Sequence, residues 1–471
     1  MAQVSIDQRP LYKVLPIGQQ VIFTVSNPTI GATMFKVKFV AEVYVSNTAI
    51  TWSATDLIGT FKTTPNNAGV GIFDFRPILE TFVKPDNEPY RSGIPGSPIN
   101  AVAEYKGTAA SIKTFPIHLV DKFSLSNDTI KFFAVRFLVE YSTTADGTVV
   151  PPTEEIDSAI YLMFNGVLQY DEVLDVGINM YGYDMGDYYL NSGTSSFLTT
   201  AATTQYARLE DYGTLPFLNY MQGTSFLLGS IVISYHYPGG TLTDIIDWSN
   251  ASGGTTSMGA FINTRFAYFG AFPGNLQNWS ASFANAVSLG MTYYTVTAVA
   301  QGIDPDSYSQ TYTINILCPN LKGYEAVRLT WLNKWGGWDY YTFNMKSTRS
   351  VSTNRTSYTQ LGGTWNESTF KISGYKGGKK NFRVNSTEKI KLNTDFVTEA
   401  EGVWFEQLIN SPEVYVLEGF QADGIYSSLN NYVQPATITN SSYIRKTIAN
   451  DKLMQYTIEI EKSKMKRTQS V

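Results

Sequence analysis

The sequence predicts a mainly β protein made of tandem sandwich modules, with one short helix in the C-terminal domain. Two observations carry this. Tyr, Phe and Trp number 31, 27 and 8, or 14% of the chain, and with abundant Thr, Val, Ser, Asn and Gly they favour strands joined by turns. Apolar residues also recur at a period of two in several segments, whereas only one stretch has helix punctuation at both ends. At 471 residues, a prior of about 100–200 residues per domain gives three modules. We place them at 1–168, 169–316 and 317–471.

In the first module, Met34 to Val45 alternates so that Phe35, Val37, Phe39, Ala41, Val43 and Val45 share one face, against Lys36, Lys38 and Glu42 on the other. Lys131 to Tyr141 repeats the pattern with Phe133, Val135, Phe137, Val139 and Tyr141. Turn-rich segments at Pro65 to Gly69 and Ser92 to Pro98 punctuate them, as in an immunoglobulin- or fibronectin-like sandwich. Ser158 to Leu168 is one further strand. The second module carries strands at Phe226 to Tyr237 and Thr292 to Ala300, with a long polar loop at Leu190 to Gln205. The third opens with a hairpin, Arg328 to Ser347, turned at Gly336-Gly337 and crowded by Trp331, Trp335, Trp338, Tyr340 and Phe343. The helix spans about 399–410. Thr398 and Glu401 form its capping box, Ser411-Pro412 its stop, and Val403, Trp404, Leu408 and Ile409 its buried face. Tyr456, Ile458 and Ile460 point inward from the last strand, ahead of the basic tail Lys462 to Arg467.

Charge differs by module. Residues 1–168 hold 13 Lys+Arg against 15 Asp+Glu, and residues 317–471 hold 20 against 14, giving −2 and +6. Residues 169–316 hold only Arg208 and Arg265 against 11 acids, or −9, with no lysine. Charged residues are 16% of the chain, against about 25% in a typical soluble domain. Much of the surface is therefore uncharged.

The motifs point away from catalysis. Cys318 is the single cysteine, so no internal disulfide forms, and two histidines, His118 and His236, cannot build a histidine metal cluster. No cofactor motif occurs. Gly374 to Lys380 (GYKGGKK) lacks the spacing and hydroxyl of a phosphate-cradling loop and reads as a basic hairpin turn. A Gly-x-Ser-x-Gly elbow is missing. Of the carboxylate pairs, Asp244/Asp247 flank a short apolar step, Asp304/Asp306 sit around Pro305 in a turn, and in Glu399/Glu401 the second caps a helix, although glycoside hydrolysis needs only two carboxylates about 5–10 Å apart. No run of about 18 apolar residues or secretion leader is seen, so the expectation is a chain made in a cytoplasm without a membrane span. A net +6 without a recognition helix is a weak nucleic-acid footprint. The most specific hint is the lysine-free, Tyr-rich middle module, whose Trp248, Trp279, Tyr293 and Tyr294 are candidates for a recognition surface able to stack on sugar rings.

RLTWLNKWGGWDYYTFNMKS (Arg328 to Ser347), EGVWFEQLINSPEVYVL (Glu401 to Leu417) and SSYIRKTIANDKLMQYTIEIEKSK (Ser441 to Lys464) resemble virion structural proteins of tailed bacteriophages. LIGTFKTTPNNAGVGIFDFRPILETFV (Leu57 to Val83) and ARLEDYGTLPFLNY (Ala207 to Tyr220) share that likeness. The resemblance implies β-sandwich modules and a place in the virion's tail, baseplate or neck, with homo-oligomer and other virion proteins as partners. It supplies no catalytic residues. The readings to weigh against it are a receptor- or glycan-binding fibre or decoration protein, with host-surface glycan as partner, and a virion-associated glycan depolymerase.

Overall fold

In the computed structural model the described residues are 4–30, 34–47, 50–86, 117, 122–126, 128–150, 155–172, 174–175, 180–190, 195–220, 227–247, 265–300, 308–317, 323–417, 433–440, 442–444 and 454–467. The protein is mainly β, with sandwich modules, and divides into two compact units. The first is Met1–Leu317 with Leu332–Asp339; the second is Cys318–Trp331 with Tyr340–Val471.

Two facing sheets build the N-terminal part of the first unit. One runs Leu174–Asp175, Met180–Gly182, Ser5–Pro10, Ile22–Ser26, Val70–Asp74. The other runs Val14–Pro16, Tyr161–Phe164, Ile130–Ser142, Phe35–Ser46, Leu57–Thr63, with Glu155–Asp157 also on Ile130–Ser142. Alternation along the two long strands sends Phe39, Ala41, Val43, Phe133, Val135 and Phe137 into one core, all without solvent exposure. There Phe137 meets Phe23 and Phe73 of the opposite sheet, each with ring centroids 5.6 Å away. The expected inward place of Phe35 is a correction: it is 43% exposed. Pairing slips between Phe35 and Lys38, where Lys36 takes a positive φ of 53°, so the bulge turns the strand's first residue out of phase.

The rest of this unit holds a five-stranded sheet, Thr204–Ala207, Tyr312–Ile316, Tyr293–Ala300, Leu228–Tyr237, Gly240–Asp247. Its inner face is covered by Pro273–Trp279 and Ala281–Ser288, the second capped by Ser280 and packing Phe283 on Tyr235 and Tyr294. A cut near 168 does not separate units. Phe123–Leu125 pairs with Arg265–Phe269, and Met180–Gly182 pairs with Ser5–Pro10, so strands from both sides of residue 168 share sheets. The cut at 316/317 lies one residue from the observed division after Leu317.

Hairpin Val327–Leu332/Trp338–Phe343 forms as its sequence predicts. Gly336 holds φ +73°, and a Cβ there would lie 2.3 Å from the Asn165 carbonyl oxygen, which restricts the position to glycine. Asn333 organises the turn: its Oδ1 accepts from the Trp335 and Gly337 amides, and its Nδ2 donates to the Leu198 carbonyl. Trp335 and Trp338 belong to the first unit, with Trp335 against Tyr188 at 4.8 Å.

The second unit is one long sheet in the order Trp338–Phe343, Val327–Leu332, Val414–Leu417, Val433–Ile438, Thr457–Lys462, Gly378–Asn393, Thr348–Gln360. Helix Glu399–Asn410 packs on it, with both halves of the capping box present. Its buried stripe is Trp404, Phe405 and Leu408, together with Gly402 beneath Tyr456. Val403 is exposed and Ile409 half-buried, because a helix this short against one sheet buries a single i, i+1, i+4 stripe. Ile458 and Ile460 are fully buried, as expected. Within the basic tail, Lys466–Arg467 pairs with Asn385 and Ser386.

Candidate assembly surfaces

Of the four aromatics expected to form one recognition surface, the three described ones do not share a face. Trp248 lies outside the described residues. Trp279 is half-buried in the helix layer, with the Lys122 ammonium 5.1 Å from its ring centre. Tyr294 is fully buried and donates to the Ala271 carbonyl at 2.7 Å, so it is a core residue. Tyr293, the next residue, points outward and is 38% exposed. Successive strand residues face opposite ways, so a neighbouring pair cannot share a face.

What Tyr293 does share a face with is set by register. Across the outward side of the five-stranded sheet, Tyr206, Asn315, Tyr293, His236 and Thr241 form one row. Thr204, Thr313, Thr295, Ser234 and Thr243 form the next. Tyr293 stacks on His236 at 4.8 Å, and both imidazole nitrogens sit beside threonine hydroxyls of adjacent strands. Ile245 is exposed in a third row, paired with Val232. Among the described residues this face bears no Lys or Arg.

Of the most prominent feature of the second unit, sequence reasoning found only the basic turn at Gly374 to Lys380. Thr348–Gln360 and Gly378–Asn393 pair over their whole length as a hairpin. Only the part near Lys389–Asn393, and again Asn385–Ser386, has a strand on its other side. Beyond Asn385 two strands run on alone, as an arm of about 20 Å for the six residues 355–360. Its tip, 361–377, is organised by local bonds: Trp365 Nε1 donates to the Gly362 carbonyl at 2.6 Å, and the Lys371 amide donates to Thr364 Oγ1 at 2.9 Å. Trp365 and Phe370 stand edge to face at 5.6 Å. Yet Ile372 is 89% exposed, Tyr375 77% and Trp365 65%. Apolar side chains gathered at an isolated tip mark a contact site. Residues 355–383 also hold six basic side chains against one acidic, net +5. Phe382 occupies a bulge opposite the step from Thr356 to Ser357 and is exposed.

At the arm's root, Glu388 accepts from Arg349 at 2.7 Å and pairs with Lys466 at 2.9 Å, while Arg349 also holds Glu325 at 2.6 Å. Hydrogen bonds from Lys466 and then Arg349 hold the Glu388 carboxyl down at about 2, against an ordinary 4.5. A depressed carboxylate stabilises the fold fully above its unfolded pKa and loses that contribution as pH falls toward the folded one. Glu388→Gln is expected to cost about 1–3 kcal/mol at neutral pH after solvent screening. In denaturant titrations the gap to wild type should close between about pH 4.5 and 2. A gap that stays constant over that range would show that the clasp is not electrostatic.

One member of each described carboxylate pair has structural employment. Asp244 accepts from the hydroxyls of Tyr235, Ser280 and Ser282, tying the edge strand to a helix start. Glu401 closes the capping box. Asp304, Asp306, His118 and Cys318 lie outside the described residues. Among the described residues no three His, Cys, Asp or Glu side chains cluster as a metal site, and no helix is long and apolar enough to cross a membrane.

No family model and no curated protein matches the chain. Among solved structures it is similar to native E. coli alpha-2-macroglobulin, at 8% identity and TM-score 0.19 over 82% of this chain and 22% of that one. It is also similar to Salmonella alpha-2-macroglobulin reacted with methylamine, at 7% identity and TM-score 0.21 over 97% and 23%. The chain thus spans less than a quarter of either protein, and likeness at these scores carries no argument about function.

Proposed function

We propose that the chain is a non-enzymatic structural protein of a tailed-phage virion, acting by protein–protein contacts in the tail, baseplate or neck. The observation that carries the assembly part of this reading is the arm. Its exposed Ile372, Tyr375 and Trp365 have no use in the chain's own core, and a partner would bury them. The place in a virion rests on the resemblance of segments such as Arg328 to Ser347 and Glu401 to Leu417. Antibody labelling of intact particles should place the chain on the tail, baseplate or neck, at a copy number that fits a symmetric ring. Particles lacking the chain, or label on the host cell alone, would overturn the reading.

A second reading, a receptor- or glycan-binding fibre, is favoured by one observation: Tyr206, Tyr293 and rows of hydroxyls share an outward face. The stack of Tyr293 on His236 argues against sugar stacking there, since one face of the Tyr293 ring is already covered. Glycan-array binding lost on Tyr206→Ala and Tyr293→Ala would prefer this reading over assembly.

A further inference from the structure

We infer that the arm, residues 355–383, seats on a second copy of this chain, laying its apolar tip and basic shaft across the outward face of the five-stranded sheet. Charge argues for the occupant. The arm carries +5 in a chain of net −5, so the remainder of a second copy carries −10. The segment containing that sheet has no lysine. The five strands themselves carry no Lys or Arg among the described residues, and Arg208, just past Thr204–Ala207, is already paired with Glu210 and Asp211.

Shape and polarity agree. Five strands at about 4.8 Å spacing make a face about 19 Å wide, close to the roughly 20 Å shaft. The face exposes Tyr206, Ile245 and Tyr293, apolar counterparts for Trp365, Ile372 and Tyr375. A two-stranded ribbon exposed on both sides is marginally stable alone, so a surface under it also orders it. Duplex nucleic acid fits less well, because a phosphate backbone offers nothing to the apolar tip. The inference goes beyond virion placement. A homotypic contact can exist outside a particle, and a virion protein can lack one, so the two tests fail separately.

Sedimentation of the full chain should show concentration-dependent self-association. Trp365→Ser, Ile372→Ser and Tyr375→Ser together should weaken it roughly ten-fold or more, with far-ultraviolet circular dichroism and thermal unfolding unchanged, because these side chains lie outside every core. A second measurement locates the contact. Chains carrying Ile372→Cys are mixed with differently tagged chains carrying Ile245→Cys, both with Cys318→Ser, and treated with a short bismaleimide. The mixed dimer should exceed both like-with-like products. A wild type that stays monomeric at its solubility limit, a triple variant that associates as wild type does, or like-with-like products alone would overturn the inference. So would arm-dependent binding of duplex DNA or anionic vesicles by a chain that does not self-associate.

Discussion

Phe137→Ala is expected to destabilise the first unit by about 3–5 kcal/mol. Phe137 has no solvent exposure and its ring is shared by both sheets, touching Phe23, Phe73 and Phe75 within 6.3 Å. Removing it takes away the transfer energy of a buried ring and leaves a hole between two sheets whose strands are tied by ladders on either side, so collapse is limited. The ladder itself, Ala41↔Phe137 and Phe137↔Ile156, is backbone and survives the change. Hydrogen exchange read by mass spectrometry should show protection falling by about two to three orders of magnitude in Phe35–Ser46 and Ile130–Ser142. Protection in the helix Glu399–Asn410 of the second unit should not change. Equal loss in both units would mean that they unfold as one body, contrary to their separate cores.

Where one face of a strand is buried, the fold was legible from sequence, because burial writes itself as a period of two. Ile458/Ile460 is such a case, and in Phe133 to Val139 the alternation shows even though Ala134 and Leu138 are buried on the other face as well. Capping at Thr398 and the turn at Gly336 were legible too, since each depends on local chemistry alone. Three features were not. The cut at 168 failed because Phe123–Leu125 finds its partner at Arg265–Phe269, a pairing with no local signature. Tyr294 was misplaced because composition marks a segment as aromatic without saying which residue faces out.

Apart from the basic turn at Gly374 to Lys380, the arm was missed for the opposite reason. Its first strand, TRSVSTNRTSYTQ, lacks apolar alternation, and that lack was the signal: a strand with no face to bury stands clear of the core. The regional charge of +6 was likewise real but unplaced. Residues 348–393 hold nine basic side chains against two acidic, net +7, more than the whole C-terminal excess. What read as a basic domain is a basic hairpin on a near-neutral one.

The second unit offers a comparison that separates volume from polarity. Trp331 is fully buried, with Trp404 at 4.9 Å and Phe405 at 6.5 Å, and its indole Nε1 has no hydrogen-bond partner among the described residues. Trp331→Ala is expected to cost about 3–5 kcal/mol, through the cavity it opens beneath the helix. Trp331→Phe loses part of the same volume but also deletes a buried donor, whose unmade bond costs about 1–3 kcal/mol in the wild type. The two terms oppose, so the Phe variant should lie within about 1 kcal/mol of wild type. Exchange in Val327–Leu332, Val414–Leu417 and Glu399–Asn410 should therefore accelerate strongly for Ala and little for Phe. If Phe proves as damaging as Ala, the indole nitrogen holds a partner in solution, such as a buried water, and the core beneath the helix is wetter than its aromatic lining implies.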